Sequence, residues 1–266
     1  MRKFNQQKEQ EILLMYREGK TQKEIAEYFG TFNTSIRRVL FRNNIIPKGN
    51  DIQQRLCKHN PFKRGDEYSD YFLGLLLTDG NIDSRGRIRL ALNSKDESLI
   101  EQFRNWASPK SKITKTLQKL NNSYMSAVSF TNKEALEYIT RKGNFVNKSF
   151  EAKLYIPMNY HILRGILDGD GGFYRQNKHG LNVQICGKSK VLISQVFNFL
   201  KRENFSPIKR VDARGLITVS LHKQAEVLRF GKQVYTCTHI FMQRKYDRWL
   251  SFYENRSKKH TLNSGN

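Results

Sequence analysis

The sequence predicts an α+β fold: two pseudo-symmetric αββαββα repeats in one chain, preceded by a small all-α domain. Two observations predict the repeats. "YFLGLLLTDGNI" at 71–82 aligns with "ILRGILDGDGGF" at 162–173, Gly74 falling on Gly165 and Asp79 on Asp170, and self-similarity of this kind marks a repeated structural unit. Each copy is then followed by the same succession of strand-like alternation and helix-like periodicity. A third observation, helical spacing of apolar residues before the first motif, predicts the all-α domain.

That domain occupies residues 1–46, where Ile12, Leu13 and Tyr16, then Ile25, Ala26 and Phe29, then Ile36, Val39 and Leu40 recur at helical spacing. Gly19, Gly30 and Asn33 divide the pattern into three short helices. Thr21 and Asn33 are the expected N-caps, with Glu24 placed as the capping-box partner of Thr21. Small Ala26 and Gly30 allow the second and third helices to cross closely, as a helix-turn-helix requires. The third helix carries Asn33, Thr34, Ser35, Arg37, Arg38 and Arg42 on its outer side, residue types suited to phosphates and guanine edges. Residues 47–66 hold Pro, Gly, Asn and basic residues without periodicity and read as a basic linker.

Repeat 1, residues 67–157, runs from its motif helix into the alternating "GRIRLALN", a helix from Lys95 to about Ala107, strands in "KITKTLQKL" and "SYMSAVSF" around Asn121-Asn122, and a helix from Lys133. Repeat 2, residues 158–257, continues into "LNVQICG", a helix over 189–203, strands in "IKRVDA" and "LITVSL", and closing helices; 258–266 reads as a tail. The strands are half polar, so one sheet face meets helices and the other stays open. Alternation turns Ile88, Leu90 and Leu92 inward and leaves Arg87, Arg89 and Asn93 on the open face, with Asn182 and Gln184 in the second repeat. Such side chains suit bidentate contacts to guanine and adenine in a major groove.

Across 266 residues Lys plus Arg outnumber Asp plus Glu by 47 to 24, a net charge of +23, which points to a polyanionic partner and first to double-stranded DNA. The longest apolar run, "YFLGLLLT", is too short for a bilayer, and no signal peptide, lipidation motif or basic amphipathic helix directs the chain to a membrane. Cys57, Cys186 and Cys237 are widely spaced and unpaired by motif, which argues against a disulfide framework or structural zinc and for a reduced, intracellular setting.

The motifs carry the chemistry. Gly165 and Gly169 lie four apart, as do Gly74 and Thr78, and small residues at that spacing let two helices approach almost backbone to backbone. The motif helices are then neighbours with their C-terminal ends side by side. Asp79 and Asp170 add like charge to two negative helix ends, which is costly unless a cation is present. Carboxylates with unpaired terminal carbonyls suit Mg²⁺, and paired metals assist phosphodiester hydrolysis. An EF-hand is excluded: counting from Asp168, His179 stands where the loop needs its closing Glu.

Both motifs resemble the signature of the LAGLIDADG homing endonucleases, "LRGILDGDG" being close to the consensus, and the resemblance spans about 67–255. It implies a monomeric, mobile-element, site-specific double-strand DNA endonuclease of phage or bacterial context. Such an enzyme acts at a long, nearly asymmetric target and uses two or more Mg²⁺ ions, for which Mn²⁺ substitutes. It implies Asp79 and Asp170 as metal-binding acids, assisted by the carbonyls of Thr78 and Gly169. The first motif departs from the consensus with Leu77 in place of Asp, which implies a weaker first half-site. "NKSFEAKLYIP" and "FMQRKYDRW" are similar to stretches that supply a basic residue near the scissile phosphate, which implies catalytic roles for Lys148 and Lys245. The alternatives on this fold are an RNA-binding intron maturase and a catalytically inactive DNA-binding regulator. Retention of both Asp79 and Asp170 argues against the regulator.

Overall fold

A computed structural model describes residues 4–43, 45, 57, 59–83, 85–118, 122–145, 147–177 and 180–263, the side chains of 41 and 256–263 excepted. The chain divides into two compact units, Met1–Gln53 and Gln54–Asn266, each with its own core.

In the first unit α1 (Gln6–Arg17), α2 (Gln22–Tyr28) and α3 (Asn33–Arg42) pack around Ile12, Ile25, Ala26, Ile36, Val39 and Leu40. Their limits follow from capping. Asn5 accepts from the Lys8 amide to start α1, and Thr21 and Glu24 form the expected capping box at α2. Both helices stop at left-handed glycines, Gly19 (φ 92°) and Gly30 (φ 57°). Beyond each, an amide folds back on the helix: Lys20 N to Met15 O at 3.0 Å and Thr31 N to Ala26 O at 2.8 Å, the Schellman arrangement. The start of α3 differs from expectation. Phe32 O accepts the Ile36 amide at 3.4 Å, so the reversal at Gly30 makes Phe32 the cap residue and leaves Asn33 inside the first turn.

The second unit opens earlier than residue 67. Pro61–Arg64 forms a 3-10 turn capped by Asn60, and Pro61 and Phe62 are buried; apolar contact therefore claims this end of the expected linker. Residues 47–56 and 58 of that linker lie outside the described residues. Asp66 then caps α4 (Glu67–Thr78), accepting from Ser69 N at 2.8 Å. After it come β1 (Gly80–Ile82), β2 (Arg87–Asn93), α5 (Glu97–Ala107), β3 (Thr114–Gln118), β4 (Ser123–Thr131) and α6 (Lys133–Lys142). A connecting segment of β5 (Gly143–Asn144), α7 (Lys148–Glu151) and β6 (Lys153–Leu154) leads to α8 (Tyr160–Asp170). The pattern then recurs as β7 (Gly171–Asn177), β8 (Gly180–Gly187), α9 (Lys190–Arg202), β9 (Ile208–Val211), β10 (Ile217–Leu221) and α10 (Gln224–Tyr235).

The two sheets have matching antiparallel orders, β1-β2-β4-β3 and β7-β8-β10-β9. Alternation in β2 is as the sequence requires, with Ile88, Leu90 and Leu92 buried between partly exposed Arg87, Arg89 and Asn93. The final helix, α11 (Gln243–Asn263), runs past the expected boundary at 257. No Gly or Pro interrupts those residues, so nothing local ends the helix there.

Candidate active site

The site is built on the crossing of α4 and α8. A Cβ on Gly74 would collide with the Ile162 carbonyl, and one on Gly165 with the Tyr71 carbonyl. The backbones touch, as the spacing of small residues requires. One turn on, a Cβ at Gly169 would strike the Thr78 side chain and lie 3.2 Å from Asp79 Oδ2. The ends carrying Asp79 and Asp170 are therefore side by side.

Their charge is poorly accommodated. Burial pushes the Asp79 carboxyl up to about 6, and the charge of Asp170 adds to the shift. Asp170 is also raised by burial, against the pull of Lys148 and Lys245. Among the described residues neither carboxylate accepts a hydrogen bond from the chain. No cluster of three or more His, Cys, Asp or Glu suited to a metal occurs among those residues, so any ion here would rest on these two carboxylates, main-chain oxygens and water.

Both lysines are at the helix ends. Lys148 Nζ donates to the Thr78 carbonyl and to Leu76 O at 3.5 Å. Lys245 Nζ donates to Leu167 O at 2.9 Å, Asp168 O at 2.6 Å, Gly169 O at 3.4 Å and Gly171 O at 2.6 Å. Each ammonium thus occupies the negative end of the motif helix of its own repeat. This corrects one expectation: the carbonyls of Thr78 and Gly169 are not unpaired, because a lysine already donates to each. Burial depresses the pKa of Lys148 and brings Lys245, 6% exposed, down to about 8.

Several polar residues here have partners that the motif does not reveal. Asp168 accepts from Tyr71 Oη at 2.8 Å and from the Met242 amide at 2.7 Å. Arg164, 1% exposed, donates to Glu67 at 2.6 Å and to Val234 O at 2.9 Å. Their mark in the sequence is a charged residue inside an otherwise apolar helix face, "ILRGILDGD". The flanks also differ. On one side Arg244 Nε pairs with buried Asp96 at 2.9 Å. On the other a cavity of about 460 Å³ lies against Leu77, Lys148, Phe150, Asp170 and Lys188.

The residues expected to face DNA fall into three groups. Arg89 and Gln184 lie on the open faces, partly exposed, and Asn33, Thr34, Arg37 and Arg38 are exposed on α3 with Ser35 partly so. Arg87, Arg42 and Asn93 have partners within the chain: Arg87 pairs with Asp83 at 2.9 Å and Arg42 with Glu9 at 3.1 Å, while Asn93 Oδ1 accepts from Lys95 N at 3.1 Å. Asn182 is the correction. It is only 7% exposed, because its own-face neighbours, Gln184 and the cross-strand Tyr174, cover it. The strand registers add residues that the sequence reading passed over: Ser129 and Thr116 in the first sheet, and Tyr174, Arg210 and Thr218 in the second, share the open faces. The alternation of "LITVSL" held this signal.

No protein-family model and no curated protein matches the sequence. Solved structures do. The homing endonuclease I-WcaI, bound to its DNA recognition sequence, superposes with a TM-score of 0.51 at 14% identity over 76% of this chain and 94% of its own. The fold is that of the LAGLIDADG homing endonucleases. Two further structures with lower scores are the meganuclease I-SmaMI bound to uncleavable DNA (TM-score 0.49, 14% identity, 77% of this chain and 94% of that one) and the N-terminal LAGLIDADG domain of WhiA (0.45, 11%, 72% and 95%). At these identities the LAGLIDADG likeness is one of fold.

Proposed function

We propose that the chain is a site-specific, divalent-metal-dependent double-strand DNA endonuclease with an N-terminal helix-turn-helix that adds a second DNA contact. The observation that carries this reading is the placement of Asp79 and Asp170, two carboxylates with raised pKa values, at adjacent helix ends in a chain of net charge +23. Perturbed carboxylates of this kind mark functional sites.

The residues fit a hard cation, because both carboxylates keep their acceptor capacity and gain from a positive charge between them. Mg²⁺ or Mn²⁺, when bound, would activate water and stabilise the leaving oxygen. The chain does the remainder. The open sheet faces hold the duplex through Arg89, Gln184 and the neighbouring Ser, Thr and Arg side chains. The helix crossing sets the two acids at a common place. Lys148 and Lys245, released from their carbonyls, offset charge on the pentavalent phosphate in the transition state.

Incubating the purified chain with Mg²⁺ and DNA of its host locus, then mapping cut ends, tests the proposal: a pair of cuts at one site is expected. Specific binding without cuts in Mg²⁺ or Mn²⁺ would favour the inactive DNA-binding regulator. One observation lends that second reading weight, since the two lysines partly neutralise the helix ends without any ion.

A further inference from the structure

Asp168 closes a loop of contacts around Lys245. Its Oδ2 holds the Met242 amide; the Met242 carbonyl accepts the amides of Lys245 and Tyr246 at 2.9 and 3.2 Å, starting α11; and the Lys245 ammonium returns to the carbonyl of Asp168 itself. Tyr71, from the other motif helix, fixes the same carboxylate oxygen. The first repeat has no counterpart. Leu77, 2% exposed, stands in the place of Asp168 and cannot accept a hydrogen bond. Lys148 opens a single-turn helix whose cap residue, Asn147, is left-handed (φ 49°) and makes no side-chain cap bond.

Stability alone does not account for Asp168. It is 0% exposed, and its Oδ1 has no partner among the described residues; a well-packed apolar residue generally serves a core as well or better, and the first repeat uses one. We propose that Asp168 is a positioning residue that sets Lys245 through the Met242 turn, so that the half of the site at Asp170 is preorganised and the half at Asp79 is adjustable. Its catalytic consequence rests on the nuclease reading above: the two strands are cut at unequal rates. Its structural core does not.

Two measurements on the full chain test it. In the first, protein without DNA is treated with an amine-acylating reagent and each lysine is followed by peptide mass spectrometry. Lys245 should react more slowly than Lys148. Asp168→Leu should speed Lys245 severalfold and leave Lys148 unchanged, while Asp168→Asn, which keeps an acceptor for Met242, restores protection. If the leucine variant does not fold, Tyr71→Phe, which removes one anchor of Asp168, should raise Lys245 reactivity in the same direction. In the second, single-turnover cutting of a duplex labelled on both strands should show Asp168→Leu slowing by about tenfold or more the same strand that Lys245→Ala slows, with unchanged duplex affinity. Equal slowing of both strands, or a Lys245 whose reactivity ignores Asp168, would overturn the inference. A chain that cuts no DNA would sink the nuclease reading, and the acylation rates would still decide the positioning role.

Discussion

Asp79 sits in a place that penalises its charge, and the penalty is measurable. Its carboxyl is raised from 3.8 to about 6, so the folded state holds the proton more tightly than the unfolded one. The associated stability is fully present below about pH 3.8 and lost as pH rises through about 6, a cost of about 3 kcal/mol for the ionised form. Asp79→Asn should therefore stabilise the fold at about pH 7.5 and change it little at about pH 4, while abolishing cleavage and sparing DNA binding. Thermal unfolding at both pH values checks the first part; an equal shift at each would mean that charge is not the cause. Asp170→Asn should likewise abolish cutting, and wild-type cutting should fall as pH drops below about 6, where Asp79 takes up its proton. Lys148→Ala and Lys245→Ala should lower the saturated single-turnover rate more than affinity. A fall in affinity alone would reduce them to phosphate contacts. At this scale the repeated motif singled out the two acids, and the resemblance of two other stretches singled out the lysines, whose roles the variants above test. The contacts of Arg164, Glu67 and Asp168 were not legible, because their partners lie on distant segments, Val234, Thr238 and Met242.

The helices and strands were legible wherever periodicity was strong. The motif helices, β2, β4 and the capped helices of the first unit follow from alternation, helical spacing and caps. β1 and β7 gave no such signal, the one being three residues long and the other opening on two glycines, and both are fixed by pairing with β2 and β8. The helix crossing was the most specific expectation at this level, and it has a direct test. Gly165→Ala places a methyl against the Tyr71 carbonyl and the Leu75 amide. Since neither backbone can yield without moving its helix, the variant should lose about 3 kcal/mol or more in urea denaturation. A loss under about 1 kcal/mol would mean that the helices separate easily.

At the scale of the whole chain, the division into Met1–Gln53 and Gln54–Asn266, each with its own buried cluster, makes the first unit separable. Removing residues 1–53 should leave a folded, metal-dependent nuclease with a shorter footprint, weaker affinity and a shallower dependence of binding on salt, because fewer phosphates are neutralised. Arg37→Ala and Arg38→Ala refine this. A base contact would relax specificity at one position by about 1–3 kcal/mol, whereas a phosphate contact would weaken all sequences alike. A footprint and affinity equal to the full chain's would assign the unit another purpose. The division between units falls inside the expected linker, but that linker was drawn too long because Pro61 and Phe62 sit among basic and polar residues, yet are buried, Phe62 in the second core.

The tie between Tyr71 and Asp168 runs in one direction only, and that has a historical meaning. By the alignment of Gly74 on Gly165, Ile162 holds the place of Tyr71 and Leu77 that of Asp168. A dimer of two first halves would set the buried Tyr71 hydroxyl against leucine. A dimer of two second halves would set the Asp168 carboxylate against isoleucine. The first leaves a hydroxyl stranded at the crossing and the second a carboxylate held by the Met242 amide alone, twice over. Whatever symmetric ancestor the doubled motif descends from, these halves have diverged past the point of return: neither can be copied to replace the other.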